Sequence, residues 1–83
     1  MKTIVFTSAA ARDLDALPAQ GRHVIERALD AYAMTGRGDV KALKGTQGFR
    51  LRVGDYRVLF DEDLTTVLAI AIGRRTTTTY RRR

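Results

Sequence analysis

The sequence predicts an α+β fold: a small, mostly antiparallel sheet in the order β-α-α-β-β-β, with two N-terminal helices packed on one of its faces. Three observations lead there. Helical periodicity is confined to the first half of the chain, period-two alternation takes over after residue 48, and a segment with four glycines, Met34 to Gly48, separates the two regimes. With 83 residues, 45% of them hydrophobic, the chain has material for one buried core and not two, so residues 1–83 are expected to form a single domain.

The elements follow in order. KTIVFT, Lys2 to Thr7, is β-branched and aromatic, which suits a strand. Thr7 or Ser8 then caps a short helix in which Ala11, Leu14 and Leu17 recur at helical spacing, with Asp13 and Asp15 early in it. Pro18 interrupts that helix. A second helix begins at about Pro18 or Ala19 and runs to Met34. Val24, Ile25, Ala28, Leu29 and Tyr32 form its apolar stripe, Arg22, Glu26, Arg27 and Asp30 face water, and Gly36 closes it. Residues 34–48 are expected to be loop. Strands follow at about 49–53, 56–61 and 66–72.

GFRLRVGDYRVLF, Gly48 to Phe60, carries the most information. With Gly54 and Asp55 as a two-residue turn, Val53 faces Tyr56 and Arg52 faces Arg57. Phe49, Leu51, Val53, Tyr56, Val58 and Phe60 then point toward the helices, while Arg50, Arg52, Arg57 and Leu59 share the opposite face. If Leu68, Ile70 and Ile72 of the last strand join the core, Val67, Ala69 and Ala71 lie beside the arginines, and the two alanines leave room for a shallow basic trough. Like charges directly opposite across a strand pair cost from a few tenths to about 1 kcal/mol. The arrangement makes chemical sense if the two guanidinium groups converge on an anion; otherwise they splay into solvent or pair with Asp61, Glu62 or Asp63.

Charge supports the anion. The formal net charge is +6, and the excess is in the second half: residues 44–83 carry nine Lys/Arg against four Asp/Glu, and eight of the nine are arginine. Arginine binds phosphate oxygens with a planar fork and stays charged at any working pH, so a polyanion is the natural partner. There is no cysteine and no Cys/His cluster with metal spacing, so neither a metal nor a cofactor is expected. The longest apolar run, Val67 to Ile72, is far shorter than the roughly 20 residues a membrane helix needs. A cytoplasmic protein with no membrane partner is expected.

LKG at Leu43 to Gly45, the hairpin sequence, and IGRRTTTTY at Ile72 to Tyr80 together resemble the RelE/ParE superfamily of toxins from type II toxin–antitoxin pairs. The likeness spans essentially the whole chain and includes its length, element order and basic charge. RelE-like members cut mRNA in the ribosomal A site; ParE-like members inhibit DNA gyrase without cleaving nucleic acid. The resemblance puts the RelE-like functional positions at Arg50 and Arg52 on the first hairpin strand, Arg57 on the second, Arg75 or its neighbour Arg74 after the last strand, and Tyr80 near the C-terminus. Lys44, Arg74, Arg81 and Arg82 are assigned to RNA binding. The filled set, Tyr80 above all, favours a ribosome-dependent endoribonuclease over a gyrase inhibitor, and a cognate antitoxin is the implied partner beside ribosome and mRNA.

The resemblance implies attack of a ribose 2′-OH on the adjacent phosphate, giving a 2′,3′-cyclic phosphate and a free 5′-OH. That reaction needs a base, charge stabilisation at phosphorus and a proton for the leaving oxygen. RelE members often carry lysine where this chain has Arg50 and Arg52, and arginine does not surrender its proton. Arg50, Arg52 and Arg57 are therefore expected to grip and stabilise charge, Arg74 or Arg75 to serve the leaving-group side or the RNA backbone, and Tyr80 to stack a base or move a proton. His23 lies on the second helix, away from this face.

Overall fold

In the computed structural model the described residues are 1–74, and they form two helices on one face of a five-stranded mixed sheet. The elements are β1 (Thr3–Phe6), α1 (Ser8–Asp15), α2 (Ala19–Thr35), β2 (Asp39–Ala42), β3 (Phe49–Val53), β4 (Tyr56–Glu62) and β5 (Thr66–Arg74). Across the sheet the order is β1-β5-β4-β3-β2; β1 runs parallel to β5 and every other pair is antiparallel. β2 lies inside the segment expected to be loop. Its four residues, DVKA, have no alternation strong enough to announce a strand; β3 supplies the pairing that makes them one.

Both helices are set by local chemistry. The Thr7 hydroxyl accepts from the Ala10 backbone N–H at 3.0 Å and so caps α1. Pro18 opens α2, where its missing N–H costs nothing, and α2 ends at Gly36 in the left-handed conformation with φ 78°. On α1 Leu14 is buried and Leu17 packs against the core as expected, but Ala10 and not Ala11 completes the stripe; Ala11 is exposed. On α2 Gly21, Ile25, Leu29 and Ala33 are buried, and Val24, Ala28 and Tyr32 flank them.

The helices cover Leu51, Val58 and Phe60 of the hairpin together with Val67, Ala69 and Ile72 of β5. Phe60 is central: Tyr32 meets it edge-on with ring centroids 5.3 Å apart, and Phe49 stacks on it at 5.5 Å. A side chain at Gly21 would run into the Tyr56 hydroxyl, 2.6 Å from the ideal Cβ position, so the absence of one lets α2 settle onto the hairpin.

β5 departs from simple alternation. Phe60 pairs with Ala69 but Leu59 pairs with Ala71, leaving Ile70 as an extra residue in a β-bulge. Val67 and Ala69 therefore face the core, Ile70 is 42% exposed, and alternation resumes with Ile72 buried. The expectation that Leu68, Ile70 and Ile72 are the core set holds only for Ile72. VLAIAI is apolar at both parities, so its sequence carries no phase. Beyond the bulge β5 has left the end of β1, and α1 satisfies its outer backbone instead: the Thr7 hydroxyl donates to the Ile70 carbonyl at 3.0 Å, and an Asp13 carboxylate oxygen accepts from the Ile72 N–H at 3.0 Å.

A polar clamp ties the first strand to the rest. The Lys2 ammonium is 2.8 Å from one Glu62 oxygen, and the Tyr32 hydroxyl donates to the other at 2.8 Å. Burial, then the hydrogen bond to Glu62 and its charge, push the Tyr32 phenol up to about 12. Burial works to raise the Glu62 carboxyl, but the hydrogen bonds from Lys2 and Tyr32 and the Lys2 charge outweigh it and hold the carboxyl below its ordinary value. Lowering an acid's folded-state pKa adds stability above its unfolded pKa, which is lost as pH falls through the folded value; raising a phenol's adds stability that is lost as pH climbs from about 10 toward 12. Glu62→Gln is expected to lower stability at neutral pH and to flatten both limbs of a urea-midpoint against pH curve, while Tyr32→Phe flattens the alkaline limb.

Candidate nucleic-acid interface

No described element covers the face away from the helices, and the strand register fixes what it displays. The Gly54–Asp55 turn, with Gly54 at φ 56°, pairs Val53 with Tyr56 and so places Arg52 directly opposite Arg57. One row across the sheet reads Asp39, Arg52, Arg57, Gly73; the next reads Lys41, Arg50, Leu59, Ala71. Small residues do flank the arginines, but they are Ala71 and Gly73, not Ala69, because of the β5 bulge. At Gly73 a Cβ would meet nothing within 4 Å, so space is open beside Arg57, and a shallow depression of about 220 Å³ lies there, lined by Arg57, Leu59, Ala71 and Gly73 among others.

Among the described residues no ion pair involves Arg50, Arg52 or Arg57, and Asp61, Glu62 and Asp63 are engaged elsewhere: Asp61 with Gln47 at 3.4 Å, Glu62 with Lys2 and Tyr32, Asp63 with the backbone N–H groups of Thr65 and Thr66 at 2.9 Å. These turn contacts hold the Asp63 carboxyl below its usual range. The Arg52 Nε, Arg57 Nε and Arg50 Nη1 atoms are buried and have no hydrogen-bond partner among the described residues. A buried donor without a partner costs about 1–3 kcal/mol. An anion set over these cross-strand arginines would supply the acceptors that those nitrogens lack.

The same face changes sign along its length. A cleft of about 420 Å³ is at its far end, with Val5, Leu68, Asp61 and Asp63 among its lining residues. A phosphate would be repelled there. The charge of this face therefore favours an anion at the Arg50, Arg52 and Arg57 end over the Asp61 and Asp63 end.

Other expected site residues fall elsewhere. Lys44 is exposed in the loop after β2. Arg74 pairs with Tyr56, which puts it on the helix side, and its guanidinium carbon lies 5.3 Å from the centre of the Tyr56 ring. It is not in the arginine row. Arg75, Tyr80, Arg81 and Arg82 lie outside the described residues. His23 is exposed on α2, in the layer behind the sheet. Two residues that sequence reasoning left out, Asp39 and Lys41, enter the face because β2 pairs with β3; with β2 taken for loop, nothing in the sequence aligned them with Arg52 and Arg50.

No protein-family model and no curated protein sequence matches the chain, but solved structures do. One is the toxin–antitoxin complex RelBE2 from Mycobacterium tuberculosis, at 32% identity and TM-score 0.69, covering 89% of this chain and 98% of that one. The chain belongs to the RelE family of toxins. The RelE fold is also seen in the RelE–RelB complex from Pyrococcus horikoshii (20% identity, TM-score 0.75, 89% and 94% covered) and in isolated RelE from E. coli (15%, 0.77, 94% and 88%).

Facing like charges and buried unpartnered donors on this sheet face are expected to cost this RelE-family chain stability. Arg52→Met, which removes both a buried unpartnered N–H and a facing like charge, is expected to stabilise the free protein by about 1–2 kcal/mol at low salt. Urea unfolding with and without 0.5 M salt checks it: the gain is expected to shrink as salt rises.

Proposed function

We propose that this toxin blocks translation as a ribosome-dependent endoribonuclease, gripping mRNA on the arginine end of its open sheet face. The observation that carries the reading is the Arg52–Arg57 pair with Arg50 beside it, three guanidinium groups whose inner nitrogens have no partner among the described residues. A phosphodiester placed over them exchanges an unfavourable array for charge-assisted hydrogen bonds. The same donors then stabilise the charge that builds on phosphorus when the neighbouring 2′-OH attacks, and a 2′,3′-cyclic phosphate and a 5′-OH result. Arg57, flanked by Arg52 on one side and by the open space at Gly73 on the other, is the side chain best placed to contact the scissile phosphate. Arg75 and Tyr80 are proposed to complete the site, and Lys44, Arg74, Arg81 and Arg82 to hold RNA outside it.

Catalysis here rests on positioning and electrostatics, so ribosomal binding of the mRNA supplies part of the geometry. Primer extension on mRNA from cells expressing the protein is expected to show cuts inside translated frames that fall at least about 100-fold in Arg57→Ala, the scale on which a single charge-stabilising donor acts. Intact mRNA together with gyrase-dependent DNA damage would instead identify a ParE-like gyrase inhibitor.

We also propose a cognate antitoxin as partner, since the 32% identical RelBE2 structure is a toxin–antitoxin complex. Its toxin-binding segment is expected to be acidic and amphipathic, folding over the arginine end and excluding RNA. Mixing the purified pair should raise the melting temperature and abolish cleavage, and the rise should be smaller for Arg52→Ala/Arg57→Ala.

A further inference from the structure

We infer that Lys41 on the edge strand β2 is the proton acceptor of the cleavage reaction, a role that rests on the ribonuclease reading above. The reaction requires a group that takes the 2′-OH proton, and the three arginines cannot serve, because a guanidinium group does not give up its own proton at working pH. Among the described residues the groups near the arginines on that face able to exchange a proton are Lys41 and Asp39. Lys41 is the Cα partner of Arg50, and two residues along a strand, about 6.7 Å, separate its row from the Arg52–Arg57 row. Arg57 lies two strands further across, about 9.6 Å, so Lys41 and Arg57 can meet only above Arg52, each reaching in on its long flexible stem, Lys41 from the exposed edge.

Chemistry favours Lys41 over Asp39. A carboxylate, with an ordinary pKa of about 3.9, is a weak base toward a ribose hydroxyl, and its charge repels the phosphate. A neutral amine is a stronger base and carries no charge to repel the substrate. The ammonium it becomes then faces the negative charge growing on phosphorus. In the step, the Lys41 amine takes the 2′-OH proton, the O2′–P bond forms, the P–O5′ bond breaks, and the departing 5′-oxygen takes a proton from water. The charged groups facing Lys41 are Arg50 directly opposite, Arg52 on the diagonal and Asp39 on its own strand. No strand covers β2 on its other side among the described residues.

The test is single-turnover cleavage of mRNA on programmed ribosomes from pH 6 to 9. Wild type should show a rate that rises with pH. Lys41→Arg keeps the charge and should keep the apparent KM within about twofold while lowering kcat at least about 100-fold, the lower end of what general-base catalysis contributes. Lys41→Ala should recover in part with added ethylamine, which a lost phosphate contact or a folding defect would not do. Lys41→Arg cleaving at the wild-type rate, or an alkaline rise that survives it and disappears in Tyr80→Phe, overturns the proposal. Arg57→Ala run in parallel separates the two readings: its loss with Lys41→Arg intact removes only the role of Lys41, whereas a wild type that cuts no mRNA removes both.

Discussion

Two arginines held face to face by a two-residue turn are the constraint around which the rest of this molecule is organised. The Gly54–Asp55 turn leaves no freedom in the pairing of β3 with β4, and a one-residue slip would send Arg52 and Arg57 into the core and Leu51 and Val58 into water. Burial of Leu51, Val58 and Phe60 beneath the helices therefore enforces the unfavourable juxtaposition on the other face. The hydrophobic side supplies the free energy and the charged side uses it. In a sheet covered on both faces those guanidinium groups would have had to find carboxylates; here no described element covers the second face, and Asp39, beside Arg52, forms no ion pair among the described residues.

The surrounding features keep that face open and polarised. Asp61, Glu62 and Asp63 are close enough in sequence to threaten the arginines, yet the β4–β5 turn and the Lys2–Glu62–Tyr32 clamp engage Asp63 and Glu62, and the strand keeps Asp61 two positions beyond Leu59. The β5 bulge performs a second service. By shifting phase at Ile70 it sends Val67, Ala69 and Ile72 all to the core and leaves Ala71 and Gly73, the smallest side chains available, next to Leu59 and Arg57. α1 makes this tolerable by bonding the backbone that the bulge frees, through Thr7 and Asp13. A cap residue and a helix-surface carboxylate thus contribute to the site without touching it.

Membership of the RelE family gives these details a chemical frame, and the chain's departures from the family pattern become informative. On the proposed ribonuclease reading, arginine at both β3 positions suits charge stabilisation that does not vary with pH, and leaves proton transfer to another group. The edge strand is where the sheet offers such a group, which is why the structure of a four-residue strand bears on the chemistry at all.

Much of this was legible in the chain. Period-two alternation from Phe49 to Phe60 around a Gly-Asp turn settles hairpin, register and the Arg52–Arg57 pair, because side-chain direction in a strand is a local property. Helix periodicity with Thr7 and Gly36 at the ends bounds α1 and α2 for the same reason. What escaped local reading depends on partners distant along the chain. β2 exists because β3 offers it an edge, and VLAIAI acquires a phase only when β1, β4 and the helices compete for its faces. Arg74 turns to the helix side because its Cα partner is Tyr56. Local sequence encodes which way neighbouring side chains alternate; which strand lies alongside, and hence whose charge stands next to whose, is a matter of long-range packing.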